Sequence, residues 1–199
     1  MAVQGVYAAL VRTLAEHLPP LPQVPTGPGA TLLVIGPGAE TLKAARSLAL
    51  SLRLDPDQVL WASTTGLAPL AAERNRITSL ESAADRRRAG AGSTTATIVA
   101  VDVPLHGSGA VWLEHMSRTW EPDAVWAVVD STRKPEDLGP WLATLPRLDA
   151  VVVEDTSSTA DPAAVLGHVT APVARVDGVQ ATAHRWASLL CERLDQLQP

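Results

Sequence analysis

Thr31-Leu-Leu-Val-Ile35-Gly36-Pro37-Gly38-Ala39-Glu40-Thr41-Leu42-Lys43 is the stretch on which the fold of this chain turns. An uninterrupted aliphatic run reads as a strand buried on both faces. A turn containing Gly36 and Gly38 follows it directly. Leu42, Ala45, Ala49 and Leu52 then recur at helical spacing. Strand, tight turn and helix N-terminus make the place where α/β proteins hold phosphate, because free backbone N–H groups and the positive end of the helix dipole converge there.

The same alternation runs outward along the chain. Val3–Leu18 reads as a helix with Val6, Leu10, Leu14 and Leu18 on one stripe, stopped by Pro19-Pro20-Leu21-Pro22. Residues 23–30, rich in Pro and Gly, form a linker, so the chain divides into an N-terminal helix with linker (1–30) and an α/β domain (31–199). Strands are expected at Thr31–Ile35, Gln58–Ala62, Thr97–Val101, Ala124–Val129, Ala150–Val153 and Val173–Val176. Helices are expected at Glu40–Leu52, Ala68–Arg74, Leu80–Ala89, Gly109–Trp120, Pro135–Leu145, Asp161–Val169 and Thr182–Leu197. Thr78-Ser-Leu-Glu81 has the spacing of a capping box for the third of these. The fold class that results is α/β, a mostly parallel sheet with helices on both faces and a short N-terminal helix.

Composition narrows the function. A chain of 199 residues with net charge −5 is not built for nucleic acid or an anionic membrane. Arg86-Arg-Arg88 is one short basic run beside Asp85 at a helix end, where cations complement the dipole. The lone Cys191 permits no internal disulfide and reads as a buried, inert thiol. The first residues carry no signal-peptide pattern, and no apolar run approaches the ~20 residues that cross a bilayer. A cytoplasmic protein without a transmembrane segment is expected. The tryptophans at 112, 120, 126, 141 and 186 fall in expected elements and read mostly as core.

Several chemistries fit poorly. Gly36-Pro-Gly38 starts a dinucleotide fingerprint, but Thr41 stands where its third glycine belongs, and no acid ends the Val59–Ala62 strand. Gly107-Ser-Gly109 lacks the spacing of a nucleophile elbow. His106 and His115 are not one helical turn apart, so no metal site and no catalytic constellation are expected.

The strand ends, in their order, resemble the G domain of the signal-recognition-particle type GTPases, the group that includes the flagellar GTPase. The similarity runs from about Thr31 to Gln180, and the N-terminal helix resembles the last helix of the preceding N domain in that group. Asp130-Ser-Thr is similar to the family's strand ending in Asp-Ala, and Asp102-Val-Pro-Leu-His to its Asp-Thr-Ala-Gly-Arg motif. Glu154-Asp-Thr-Ser157 resembles the guanine-reading Thr-Lys-Leu-Asp segment, and Asp177-Gly-Val-Gln180 the closing Gly-Gln loop. The resemblance implies a P-loop NTPase-like fold.

The departures from that pattern lie at the chemistry. A P-loop needs Gly-x4-Gly-Lys-[Ser/Thr], whose backbone cradles phosphate while the Lys reaches the β/γ-phosphates. Here Thr41 and Leu42 stand at the second Gly and the Lys, and Lys43 comes one residue late. Leu105, Asp155 and Ser157 replace the family's γ-phosphate Gly, its Lys and its guanine-reading carboxylate, and Ser63-Thr-Thr-Gly66 replaces its Asp-Thr-Tyr-Arg loop. Of the motif residues, only Asp102 remains suited to magnesium. Glu40 is expected to lay its carboxylate in the anion position of the turn, over the N–H groups that follow Gly38.

The reading is therefore a degenerate member of that group: a pseudo-GTPase without catalytic residues, cofactor or metal, acting as a protein-binding or regulatory module in protein targeting or flagellar placement. Its partner would be a protein, another GTPase of this type or a flagellar component. The alternative is a protein that still binds nucleotide or phosphate weakly, through Gly36, Gly38, Thr41, Lys43, Asp102 and Asp130. A monomer or weak homodimer is expected, with the Val6–Leu18 stripe either packed on the closing helix near Leu189, Leu190 and Leu194 or buried in a partner.

Overall fold

The sheet has eight strands in the order β3-β2-β4-β1-β5-β6-β7-β8. They are β1 (Thr31–Gly36), β2 (Leu60–Ala62), β3 (Arg76–Ile77), β4 (Thr97–Asp102), β5 (Ala124–Asp130), β6 (Ala150–Glu154), β7 (Val173–Val176) and β8 (Val179–Gln180). All neighbours pair in parallel except β8, which turns back on β7. The helices are α1 (Ala2–His17), α2 (Ala39–Ser51), α3 (Leu80–Gly90), α4 (Gly109–Trp120), α5 (Pro135–Ala143) and α6 (Ala183–Gln196). This computed structural model describes residues 2–107 and 109–196. The expected helix end at Leu197 and Ser108 of the Gly107-Ser-Gly109 turn lie outside them.

Both faces of the sheet are covered, as the continuous apolar strands require. Side chains alternate across a strand. Leu32 and Val34 therefore pack with Leu42, Ala45 and Leu48 of α2, while Leu33 and Ile35 pack with Leu113 and Met116 of α4 and Leu138 and Trp141 of α5. These β1 side chains are fully buried, each contributing roughly 1.5–3 kcal/mol relative to exposure. The tryptophans at 120, 126, 141 and 186 are buried as expected, with Trp61 beside them, and Trp112 is half-buried.

A third cluster joins α1 to α6. Leu14 and Leu18 pack on Val176, Trp186 and Leu189, and the Tyr7 hydroxyl lies 3.1 Å from His184 Nδ1. The C-terminal half of the stripe thus packs within the chain, while Val6 and Leu194 stay about half exposed.

The structure corrects several details. The N-cap of α3 is Ser79, paired reciprocally with Ser82, one residue later than the Thr78/Glu81 spacing suggested. Ser79 is the extended residue, so its hydroxyl, not that of Thr78, faces the free N–H groups. Ala68–Arg74 forms two single 3-10 turns, Ala68–Leu70 and Glu73–Asn75, and Asp161–Val169 only one, Ala164–His168. Segments this short do not offset the cost of helix nucleation, and Pro69 and Gly167 weaken them further. Cys191 is half-buried rather than buried.

Candidate functional site at the β1–α2 turn

The chain leaves β1 toward β2 on one side and returns through β4 to β5 on the other, so the topological switch lies at the carboxyl ends of β1 and β4. There Gly36 and Asp102 are register partners, and Val103 N–H donates to the Gly36 carbonyl at 2.8 Å.

The turn itself is short. Only Pro37 and Gly38 separate β1 from α2, whereas a phosphate-wrapping loop spans several more residues before its helix. Two glycines are needed for this. A Cβ on Gly36 would stand 2.6 Å from Thr41 Oγ1 and 3.1 Å from Val128 Cβ. Gly38 has φ 77° and ψ −164°, a region open essentially to glycine alone.

Gly38 N–H donates to Asp102 Oδ1 at 2.9 Å. The other carboxylate oxygen, Oδ2, accepts from Ser63 Oγ at 2.9 Å and Thr65 Oγ1 at 3.0 Å. Asp102 is 3% exposed, and no ion pair to it exists among the described residues. Three donors and the N-terminus of α2 stabilise this buried group in place of a counter-ion. One donor of the turn, the Gly38 N–H, is therefore engaged from within the chain by the strand-end acid of β4.

That placement overturns the expectation for Glu40. Its carboxylate points outward and pairs with Lys43 at 2.9 Å on the surface of α2. The reason is helix geometry: residues three apart are neighbours on a helix surface, so the exposed ion pair forms locally while the turn is served from β4. The Glu40 hydrogen bond and charge hold the Lys43 ammonium above the usual lysine range. Of the sequence candidates, Gly36, Gly38, Thr41 and Asp102 meet at the turn. Thr41 is fully buried, its hydroxyl tucked beneath Gly36 without a partner. Lys43 does not join them. Asp130 binds its own loop, accepting from Thr132 N at 2.8 Å and Thr132 Oγ1 at 2.6 Å, with Arg133 3.8 Å away. Ser63 and Thr65 were missed as functional side chains, although a run of hydroxyls ending β2 was the available signal.

Two clefts flank the turn. One, of about 590 Å³, runs past Gly38, Thr65, Asp102, Leu105 and Arg133. The other, of about 390 Å³, is lined by Lys43, Ser47, Glu154, Asp155, Ser157 and Asp177. Burial, then the neighbouring Asp177 carboxylate, push the Glu154 carboxyl up to about 7, against the pull of Lys43. The β6 and β7 loops beside it are tied together: Thr156 N donates to Asp177 Oδ1 at 3.2 Å, Thr156 Oγ1 bonds Asp177 Oδ2, and Arg185 donates to the same oxygen at 3.0 Å. Among the described residues no group of His, Cys, Asp and Glu is arranged to hold a metal, and no helix is long and apolar enough to cross a membrane. Asp102 thus holds the Gly38 N–H at this turn, while Lys43 is directed to Glu40.

No model of a known protein family matches the sequence, and no curated protein matches it either. Solved structures match its fold. The chain is similar to chloroplast FtsY from Physcomitrella patens (TM-score 0.66, 15% identity, 92% of this chain and 72% of that one). It is similar to the signal recognition particle receptor FtsY from Elizabethkingia anophelis in complex with GDP (TM-score 0.66, 15% identity, 96% and 71%). FlhF complexed with GMPPNP and Mg²⁺ also matches (TM-score 0.61, 13% identity, 94% and 84%). The fold is that of the G domains of signal-recognition-particle type GTPases, as the order of the strand ends implied.

Proposed function

We propose that this chain is a pseudo-GTPase: a G-domain fold that neither binds nor hydrolyses nucleotide and serves as a protein-binding or regulatory module. The observation that carries the reading is the hydrogen bond from Gly38 N–H to Asp102. It engages one backbone donor of the turn, of the kind that a nucleotide-binding turn directs toward phosphate. The two-residue turn and the outward Glu40–Lys43 pair support the same reading from the other side of the site. Fold alone assigns no function, so the argument rests on these contacts and not on the neighbours' activities. A protein partner, of the targeting or flagellar systems that the neighbours belong to, follows as the use left to such a scaffold.

The test is isothermal calorimetry of GTP and ATP with magnesium. No saturable heat is expected up to millimolar nucleotide. A dissociation constant in the low micromolar range, about −8 kcal/mol, overturns the proposal and restores the weak-nucleotide alternative through Gly36, Gly38, Thr41, Lys43, Asp102 and Asp130.

A further inference from the structure

At the opposite end of the sheet, under the amino ends of β2 and β4, a cleft of about 550 Å³ opens between α2 and α3. We propose that it is a binding site for a small organic phosphate, distinct from the β1–α2 turn. Its lining combines the apolar residues Val59 and Ile98 with Arg53, Arg74 and Arg86.

Three arginines on one cleft stand out in a chain of net charge −5. Arg86 crosses the cleft and donates to the Glu73 carbonyl at 3.0 Å, which fixes its position. Among the described residues neither the Arg53 nor the Arg74 side chain has an ion pair or hydrogen bond to protein. The one carboxylate in the lining, Asp55, is engaged by Asp57 N–H at 2.9 Å. Helix dipoles explain only part of this. Arg53 follows the C-terminus of α2, where a cation is expected. Arg74 sits in the Glu73–Asn75 turn, and Arg86 lies before the last turn of α3.

The chemistry follows from the donors. A guanidinium presents paired N–H groups that match phosphate bidentately. The volume falls within the range of small-molecule sites, roughly 300–1,000 Å³. Apolar lining together with charged forks selects an anion with an apolar body over a bare ion.

The experiment is an amide NMR titration of the full chain with phenyl phosphate, inorganic phosphate and phenol. Phenyl phosphate should shift Asn75, Gly90 and Thr97 saturably, with a dissociation constant of about 1 mM or tighter. Inorganic phosphate should bind several-fold more weakly, and phenol should not saturate. The double variant Arg53→Gln/Arg74→Gln removes exposed, unpartnered side chains and should keep the fold, read from unchanged shifts elsewhere. It should weaken phenyl phosphate at least about tenfold. Absence of saturable shifts up to about 20 mM, equal binding by the double variant, or shifts centred on Gly38 would each overturn the proposal. The last result would also count against the closed turn, whereas the first two leave that reading untouched.

Discussion

Replacing Asp102 tests whether the β1–α2 turn is held by an internal anion. In Asp102→Ala, Gly38 N–H loses its acceptor and the Ser63 and Thr65 hydroxyls lose the carboxylate, in a place 3% exposed. Hydrogen bonds to a charged group contribute about 1.5–3 kcal/mol each. The two hydroxyls still bond one another at 2.9 Å, so the three losses do not add. The Gly38 N–H loses the acceptor that it has in the folded chain. A total of about 3–5 kcal/mol is expected for Ala. In Asp102→Asn, the amide oxygen can face Gly38 while the NH₂ donates to hydroxyls that also accept. That variant should cost about 1–2 kcal/mol. Urea unfolding followed by tryptophan fluorescence, with Trp61 and Trp126 fully buried in the neighbouring strands, reads both. Equal costs for Asn and Ala, or a cost below about 0.5 kcal/mol for Ala, would refute the internal-anion account. A nucleotide affinity appearing in Ala alone would show that the carboxylate was the block.

Glu154 makes stability depend on pH. Its folded pKa, about 7, lies above the unfolded 4.5, so its contribution is complete below pH 4.5 and is lost as pH rises through 7. Glu154→Gln should therefore stabilise the protein at pH 8 and not at pH 4. The full shift corresponds to roughly 3 kcal/mol, and screening at this partly open site reduces the expected gain to about 1 kcal/mol, measured by urea titrations at the two pH values. Glu40→Gln should change stability by less than about 0.5 kcal/mol and leave the turn's amide shifts intact, because the carboxylate serves only an exposed pair with Lys43. Leu14→Ala should cost about 1–2 kcal/mol, below the range for a fully buried leucine, since Leu14 is half-buried against Trp186 and Leu189. Light scattering on that variant should show an unchanged mass, whereas a dissociating dimer would place the stripe in an interface.

What the sequence disclosed followed the range of the interactions involved. The strands that form the middle of the sheet are aliphatic runs, so their burial and parallel order were readable from β1, β4 and β5. Strands β3 and β8 are two residues each, too short for any period to register. At the site, Gly36, Gly38 and Asp102 were readable because a turn and a strand-end acid are local features. The partner of Gly38 was not. Glu40 is the nearest acid along the chain, but Asp102 is nearest in space, and only the β1–β4 register brings it there. A local rule would have placed Glu40 correctly, because Lys43 three residues on offers it an exposed ion pair. The arginines of the opposite cleft come from three separate segments, so no motif joined them.

The internal carboxylate has a thermodynamic consequence for the whole scaffold. A turn whose N–H groups await phosphate is completed only by ligand, so the fold gains stability as ligand binds, by RT ln(1 + [L]/Kd). Here the same kind of donor is already satisfied by Asp102, which also bonds Ser63 and Thr65 beyond β2. The ends of β1, β2 and β4 are thereby joined without any bound anion. On the function proposed above, this turn has no nucleotide-dependent second arrangement, because a ligand shifts an equilibrium only by its differential affinity for two states.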